Sequence, residues 1–210
     1  MLYTEIILNF FFPKLCIGCD AHKNYLCKNC EENIALAKND LPDWIFAKYN
    51  YKDENIKKLL FKLKYFHVKS IANELALYAS PYLNSKLEKN KDYILIPIPV
   101  TAKRHRDRGY NQSKLIAVSL AKESSNLKVL EILKRIRETK KLNKIKTREE
   151  RQIELEDAFA MDSSKSISLD SHIIIIDDIA TTGASLYSAR KTLTEFGFKK
   201  DNILAFTIAH

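Results

Sequence analysis

Hydrophobic positions along the chain follow two periods, one typical of strands and one of helices. Residues 44–51 alternate between apolar and polar side chains, which predicts a strand. Residues 54–67 repeat apolar side chains every three or four positions, which predicts an amphipathic helix with a lysine-rich, solvated outer side. A second helix is predicted over about 69–83.

Three further apolar runs predict buried strands at 93–99, 172–176 and 203–209. Helical patterns lie between them, at about 111–122 and 184–195. Four consecutive isoleucines in the second run are typical of a central parallel strand that is buried on both faces. Strands that alternate with helices predict an α/β fold, with a mainly parallel sheet and flanking helices.

The positive charge is concentrated in one segment. The 210 residues carry 35 Lys and Arg and 26 Asp and Glu, a net charge of +9. Residues 101–151 alone have a net charge of +10, and the rest of the chain has −1. A local basic excess indicates an anionic partner such as nucleic acid, a polyphosphorylated ligand or anionic lipid. Within this segment, 103–108 is predicted as a basic loop and 134–151 as a mobile one.

Glycine and histidine spacings exclude several common enzyme classes. No glycines are spaced as in a dinucleotide-binding turn, a P-loop or a nucleophile elbow, and no histidines are spaced as in H-E-x-x-H zinc proteases. No run of about 18 apolar residues is present, so no transmembrane segment is expected. The apolar start, Leu2 to Leu15, is interpreted as an amphipathic lead-in rather than a signal peptide or membrane anchor.

All four cysteines lie in two C-x-x-C pairs, Cys16 with Cys19 and Cys27 with Cys30. Each turn directs two thiolates toward one ion, which is the arrangement that tetrahedral zinc requires. We therefore predict a closed, structural zinc knuckle whose metal supplies most of the folding free energy of this short segment. Two disulfides are the alternative, and His22 is interpreted as a solvated loop residue.

The segment after the isoleucines combines two carboxylates, Asp177 and Asp178, with the hydroxyl-rich turn 181–185. In open α/β sheets, ligands bind at this end of the strands. Backbone N–H groups and hydroxyls of the turn suit a phosphate, and Gly183 allows its close approach. The carboxylates suit sugar hydroxyls or a hard metal ion. These features predict a ribose 5-phosphate site, and a helix N-cap after an ordinary turn is the alternative.

These motifs resemble those of known families. The sequence DDIATTGAS after an apolar strand resembles the phosphoribosyl diphosphate (PRPP) signature of type I phosphoribosyltransferases. The leading FFPKLCxxC knuckle, the LKY of 63–65, the IPIPV of 96–100 and the RxRxRGYNQ of 104–112 resemble the competence protein F (ComF/ComFC) family over nearly the whole chain. Asn143 and Glu154 stand where that family has Gln and Asn, so polar contacts of those side chains are not carried over.

The resemblance implies a zinc knuckle fused to a phosphoribosyltransferase-like domain that acts in DNA uptake during natural transformation. The chain then divides into lead-in and knuckle at 1–32, a linker at 33–43 and the phosphoribosyltransferase-like domain at 44–210. The implied ligands are PRPP, or another ribose 5-phosphate compound, and Mg²⁺ bound with it. The implied location is cytoplasmic, with association at the inner membrane and with other competence proteins left open.

The site residues follow from these motifs. Asp177 and Asp178 are the catalytic candidates if the chain is an active phosphoribosyltransferase, which the sequence leaves open together with the acceptor. The candidates for binding PRPP are Asp177, Asp178, Thr181, Thr182, Gly183, Ala184, Ser185, Lys103 and Arg104. A nucleotide-salvage transferase with no DNA role is the alternative function.

A second hypothesis is that the basic segment binds single-stranded DNA. Single-strand binders combine cationic grooves with stacking aromatic rings. Tyr65 and Tyr110 lie among basic residues, whereas Phe66 is expected in the core. For Tyr110, stacking on a base and capping its own helix are equally good interpretations. The candidates for contacting DNA are Arg104, Arg106, Arg108, Tyr110, Lys140, Lys141, Lys144 and Lys146.

Overall fold

A five-stranded parallel sheet lies at the centre of the computed structural model, which describes residues 13–38, 40–136 and 158–210. The strand order is β1-β7-β6-β2-β3, and every neighbouring pair is parallel. A separate antiparallel pair joins β4 to β5. The predicted α/β class with a mainly parallel sheet is confirmed. The strands are β1 Ile45–Tyr49, β2 Tyr93–Pro97, β3 Leu127–Val129, β4 Leu133–Arg135, β5 Phe159–Met161, β6 His172–Ile179 and β7 Ile203–Ala209.

Six α-helices lie among the described residues, and a 3₁₀ turn at Lys200–Asn202 precedes β7. Within those ranges, none of the helices has the length and apolar composition that crossing a bilayer requires. The helices are α1 Lys28–Glu32, α2 Glu54–Tyr65, α3 Ser70–Lys86, α4 Ala102–Arg108, α5 Gln112–Lys122 and α6 Ala184–Phe196.

Different helices cover the two faces of the sheet. In β6, Ile174 and Ile176 belong to a core that also contains α2, α3 and α5, whereas Ile173 and Ile175 pack in a core with α6. Successive side chains of a strand point to opposite faces, so a strand covered on both faces is apolar at every position. The isoleucine run therefore places β6 at the centre of the fold. Its carboxyl end lies at the end of the sheet where the neighbouring parallel strands also finish.

The basic stretch 103–108, predicted as a loop, forms helix α4 instead. The hydroxyl oxygen of Thr101 accepts a hydrogen bond from the backbone N–H of Arg104 at 3.1 Å. Gly109 ends the helix in the left-handed conformation, with a φ of 71°. Three basic side chains occupy the last turn, where the helix dipole favours positive charge. Caps at both ends therefore turn a stretch with no apolar period into a helix.

Other elements differ from their predicted bounds. Strand β6 includes Asp177 and Asp178, because its pairing with β7 extends beyond both residues. Helix α3 continues past Pro81. Strand β4 lies at the start of the predicted mobile loop, and 137–157 falls outside the described residues.

Part of the segment predicted as a linker, 33–43, lies beside the outer edge of β1, at residues 35–37. The N–H of Ala37 donates to the carbonyl of Lys48 at 2.9 Å, and the N–H of Asn50 donates to the carbonyl of Ala35 at 2.8 Å. Its backbone therefore adds hydrogen bonds to the edge of the sheet. The division of the chain at 33–43 stays a prediction.

Candidate functional site

The four cysteines form one cluster. Their sulfur atoms all lie within 4.8 Å of one another, and those of Cys19 and Cys27 are 3.6 Å apart. A tetrahedral zinc ion with Zn–S bonds of about 2.3 Å spaces its sulfurs by about 3.8 Å. All four thiols are free rather than joined in disulfides. The cluster therefore fits a four-cysteine zinc site, as the spacing of the cysteines predicted.

Close backbone approaches hold the cluster together. The N–H of Cys27 lies 3.4 Å (N to S) from the sulfur of Cys16, which is completely buried. The backbone at Gly18 passes so near Cys30 that a Cβ atom at this position would lie 2.8 Å from the Cys30 sulfur. Glycine is therefore required at position 18 by the width of the space.

The thiols shift one another's pKa values. Burial raises the pKa of Cys16, but N–H donors from Cys27 and Gly18 outweigh it and lower the pKa to about 6. The neighbouring thiols of Cys19 and Cys27 raise the pKa of Cys30. Four thiolates in this space repel one another, so complete deprotonation of the cluster requires a cation at its centre.

The cysteine segment packs directly on α3 through Leu26. Its N–H donates to the carboxylate of Glu74 at 2.9 Å, and the hydroxyl of Tyr78 donates to its carbonyl at 3.1 Å. The Leu26 side chain is completely buried in the core that contains α2 and α3. The metal-binding segment and the helical layer therefore share one core.

The two carboxylates lie at the carboxyl end of β6. The hydroxyl of Ser113, in the first turn of α5, donates to Asp177 Oδ1 at 2.8 Å. Lys64 of α2 forms an ion pair with Asp178, which is almost completely buried. Burial and the negative charge of Asp178 raise the pKa of Asp177 to about 7. The raised pKa favours the protonated form of Asp177 over a wider pH range than for an exposed carboxyl group.

The turn after β6 leads directly into α6. Gly183 precedes the helix with a φ of 72°, in the left-handed region that favours glycine. Gly183 has no side chain to cap α6, and the hydroxyl of Thr182 accepts a hydrogen bond from the N–H of Ala184 at 3.4 Å. The positive end of the helix dipole therefore faces the turn. Thr181 is exposed, and Thr182 and Ser185 are partly exposed. The turn therefore suits an anionic oxygen group.

Two guanidinium groups lie near the carboxylates. Burial and the positive charge of Arg104 lower the pKa of Arg135, and the negative charge of Asp177 opposes this shift. Arg104 belongs to α4, and Arg135 belongs to β4, where it packs over the ring of Phe159. Lys103 is exposed on α4. Cationic and anionic side chains from α2, α4, β4 and β6 therefore meet at this edge of the sheet.

A pocket of about 220 Å³ adjoins the turn at Thr181 and Thr182. The ring of His210 lies at its wall, with Nδ1 2.5 Å from the carbonyl oxygen of Ala180 and Nε2 2.9 Å from the carboxylate of Asp40. This contact ties the segment before β1 to the residue that precedes the turn. The pocket is therefore continuous with the candidate phosphate turn.

Three curated competence proteins are similar to the chain, and no family model matches it. Competence protein ComFC of Bacillus subtilis (strain 168) is 28% identical over 191 residues, which cover 87% of this chain and 71% of the relative. Competence protein ComFC of Streptococcus pneumoniae (strain ATCC BAA-255 / R6) is 31% identical over 118 residues, 56% of this chain and 49% of the relative. The chain is similar to the ComF/ComFC competence proteins. Competence protein F of Haemophilus influenzae (strain ATCC 51907 / DSM 11121 / KW20 / Rd) is 29% identical over 106 residues.

The match to the Haemophilus influenzae protein covers 50% of this chain and 46% of that relative. The chain therefore spans about half the length of two of the three relatives and about 71% of the first. The resemblance of its motifs to the ComF/ComFC family is confirmed.

Sequence reasoning missed three residues that lie close to Asp177 or Asp178. Lys64 belongs to the lysines predicted on the solvated side of helix α2, although the LKY motif of 63–65 indicates a functional role for it. Arg135 fell in the predicted mobile loop. Ser113 is an ordinary helix residue in the sequence, and it reaches Asp177 only because α5 packs beside β6.

Some of the residues predicted to contact DNA lie at the surface, and one of them is buried. Arg106 is exposed on α4, and Arg108 is partly exposed. Tyr110 is buried and its hydroxyl donates to the carbonyl of Leu63. Its assignment as a stacking residue is therefore corrected, because its ring lies in the core. Four candidates lie outside the described residues: Lys140, Lys141, Lys144 and Lys146.

Phe66 is corrected in the opposite direction. It was expected in the core with the apolar face of α2, but 63% of its surface is exposed. Helix α2 ends at Tyr65, and Phe66 has left the helical conformation. Its side chain therefore does not follow the apolar face of the helix.

Proposed function

We propose that this chain binds PRPP and handles incoming single-stranded DNA on the cytoplasmic side during natural transformation. The names of the three relatives support a role in competence and DNA uptake. The observation that best supports PRPP binding is the position of Asp177 and Asp178. They lie beside the turn 181–185, at the carboxyl end of a central parallel strand. This arrangement suits a sugar with a 5-phosphate.

In the proposed complex, the 5-phosphate lies on the turn 181–185. The three hydroxyls of the turn and the N-terminal end of α6 favour anionic oxygens. Gly183 and Ala184 present no large side chain, so the phosphate can approach the backbone. Asp177 and Asp178 then accept hydrogen bonds from the two ribose hydroxyls.

The diphosphate of PRPP is proposed to lie toward α4 and β4. Lys103 and Arg104 supply positive charge there, and Arg135 adds a guanidinium that suits phosphate oxygens. The carboxylate oxygens of Asp177 fit Mg²⁺, which when bound with PRPP would neutralise charge between the ribose hydroxyls and the diphosphate. Lys64 already neutralises Asp178.

A second candidate function, phosphoribosyl transfer in nucleotide salvage with no DNA role, is favoured by the placement of Asp177 at the carboxyl end of β6, where Ser113 donates to it. Burial raises the pKa of Asp177, which makes its carboxylate a stronger base toward the proton of an incoming nucleobase. In that reaction Asp177 and Asp178 are the catalytic candidates, and the basic groups stabilise the departing diphosphate. Release of diphosphate from PRPP with nucleobase acceptors, together with no binding of single-stranded DNA, would favour this function.

The cysteine cluster is proposed to hold one structural Zn²⁺ through Cys16, Cys19, Cys27 and Cys30. We keep the proposed division into 1–32, 33–43 and 44–210, and a cytoplasmic location that includes the periphery of the inner membrane. Other competence proteins at that membrane are proposed as partners.

Thermal denaturation with PRPP, in the presence and absence of Mg²⁺, tests the ligand. A ligand at 100 times its dissociation constant adds about 2.7 kcal/mol of stability, which raises the melting temperature by several degrees. The double variant Asp177→Asn and Asp178→Asn should lose this shift. The matched control is Asp170→Asn with Asp201→Asn, two exposed carboxylates that precede β6 and β7 and so lie at the opposite end of these strands from the turn. An unchanged shift in the first double variant would place the ligand elsewhere.

A further inference from the structure

Three exposed aromatic rings lie at the end of α2, and the ring of Phe61 contacts the other two. Phe61, Tyr65 and Phe66 are 53%, 56% and 63% exposed. The ring centroid of Phe61 lies 4.9 Å from that of Tyr65 and 5.7 Å from that of Phe66. Single exposed apolar residues are common, but a contiguous exposed group marks a binding surface. We call these three residues the aromatic cluster.

A planar cation already lies over one of these rings. The guanidinium of Arg108 lies 5.1 Å from the ring centroid of Tyr65. Arg108 also donates to Gln112 Oε1 at 3.0 Å, and its carbonyl oxygen lies 3.0 Å from Nδ1 of His67. These contacts fix the side of the cluster that faces α4, so a ligand would meet ordered groups there.

The surroundings of the cluster are basic. Residues 54–69 contain five lysines and one acidic residue, Glu54, which pairs with Lys57. Lys58 and Lys62 lie three or four positions from the rings, so they border the cluster on the helix surface. The occupant that matches this surface carries both flat apolar groups and negative charge.

The cluster also adjoins the candidate ligand site. Lys64 lies between Phe61 and Tyr65 along α2, and its ammonium group reaches Asp178. One helix end therefore presents a cation to the carboxylates and aromatic rings to the solvent. A strand that crosses α4 would reach the rings while its phosphates pass Arg104 and Arg108.

We propose that Phe61, Tyr65 and Phe66 form a stacking platform for the bases of single-stranded nucleic acid. The proposal rests on the DNA-handling part of the proposed function and names the surface that performs it. Bases stack on aromatic side chains in single-strand binders, while basic residues hold the phosphates. Stacking depends on the ring face, so it tolerates any base sequence.

A protein partner or a second copy of the chain fits these observations less well. The cores of protein interfaces are depleted in lysine, whereas lysines border this cluster on its own helix. Basic residues among stacked rings are the composition of single-strand binding surfaces. The two other occupants are kept as outcomes of the test.

The test compares two labelled probes of equal length, an oligothymidylate and an abasic phosphodiester oligomer. The full chain should bind the oligothymidylate more tightly. Phe61→Ala with Phe66→Ala should bring its affinity most of the way down to that for the abasic oligomer, with Tyr65 left as the one remaining ring; the loss should be on the order of tenfold for each base that no longer stacks. The slope of log affinity against log salt should not change, because no charge is removed. Phe196→Ala is the matched control, because the ring of Phe196, the last residue of α6, is exposed and stacks on Phe198.

A second variant separates stacking from simple apolar contact. Phe61→Leu with Phe66→Leu keeps apolar surface but removes the ring faces, so it should lose the same affinity as the alanine variant. Circular dichroism melting confirms that each variant is folded, and the single variant Phe66→Ala serves if the double one is not.

Three results would overturn the platform and leave DNA handling standing. They are equal affinity of the full chain for the two probes, parental affinity in the leucine variant, and loss of a dimer in sedimentation with no change in probe binding. If the full chain binds neither probe, both the platform and the DNA-handling proposal fail.

Discussion

Lys64 of α2 forms an ion pair with Asp178 at the carboxyl end of β6, and both side chains are largely buried. Removal of one partner from such a pair leaves an uncompensated charge in a poorly solvated place, whereas removal of both partners costs much less. The pair also joins the helix that carries the aromatic cluster to the candidate ligand site. It therefore contributes to the stability of the fold and to the charge of the site.

Lys64→Met should destabilise the fold by about 3 kcal/mol near pH 7, because it leaves Asp178 buried without its partner. Adding Asp178→Asn should recover most of the loss. Lys57→Met is the matched control, since Lys57 pairs with the exposed Glu54 on the same helix and should change little. Urea denaturation measures all four proteins. Equal stabilities of parent and Lys64→Met would show that the pair is energetically neutral.

Asp177→Asn should remove a pH dependence of stability. Burial and Asp178 raise the pKa of Asp177 to about 7 in the folded protein, against about 3.9 in an unfolded chain. A raised folded-state pKa stabilises the fold below the unfolded pKa, and this stability is lost as the pH rises through about 7. The size of the loss depends on the difference between the two pKa values, and the partial exposure of Asp177 reduces it.

We therefore expect Asp177→Asn to be more stable than the parent at about pH 8 and similar to it at about pH 4. Denaturant titrations across this range measure the difference. Parallel pH profiles for the two proteins would mean that Asp177 titrates in its ordinary range. Asp170→Asn, at the surface, is the control and should leave the profile above about pH 5 unchanged.

Gly18→Ala should weaken zinc binding. The new Cβ atom would lie 2.8 Å from the sulfur of Cys30, so either the turn or the ligand must move. Elemental analysis should find one zinc per chain in the parent and less in the variant after dialysis against a chelator. Gly109→Ala is the control, because its left-handed φ of 71° is strained for alanine but lies away from the cysteines. It should lose stability and keep its zinc. Equal zinc retention in Gly18→Ala and the parent would contradict the prediction.

Arg104→Ala and Arg135→Ala should each reduce the preference for PRPP over ribose 5-phosphate. Both ligands carry the 5-phosphate, and only PRPP carries the diphosphate that these guanidinium groups are proposed to hold. A hydrogen bond to a charged group contributes about 1.5–3 kcal/mol, so the preference should fall by about tenfold or more. Calorimetric titration of both ligands measures it, with the surface variant Lys200→Ala as control. A parallel loss for the two ligands would assign the arginines to the 5-phosphate instead.

Alanine at Lys140, Lys141, Lys144 and Lys146 together should weaken binding of all single-stranded DNA sequences alike. For each phosphate that the variant no longer neutralises, the slope of log affinity against log salt should flatten by about 0.7. Titration of oligonucleotides of increasing length at two salt concentrations, with and without PRPP, measures the effect. Binding that does not grow with length and that PRPP displaces would argue against a DNA track in residues 101–151.

Local sequence predicted the parts of the molecule that are built from consecutive residues. The run of four isoleucines in β6 has no polar position because the strand is covered on both faces. The cysteine pairs and the turn 181–185 are short motifs whose geometry depends on spacing within one segment. The cluster of sulfurs and the helix that begins at Ala184 therefore lie where the sequence placed them.

The missed residues reach the site through tertiary packing. Ser113 and Asp177 are 64 positions apart in sequence, and the hydrogen bond between them depends on how α5 packs against β6. The exposure of Phe66 was missed for a different reason. The helical period continues through position 66 in the sequence, but the helix ends one residue earlier, and the side chain turns into solvent.

The position of β7 has a consequence for the order of synthesis. It is the last strand of the sheet along the chain, yet it lies between β1 and β6, which are both made earlier. Until residues 203–209 leave the ribosome, the inner edges of β1 and β6 have no strand to pair with, and such edges promote aggregation. A nascent chain that stalls shortly before β7 should therefore depend on a chaperone more than one that stalls before β6.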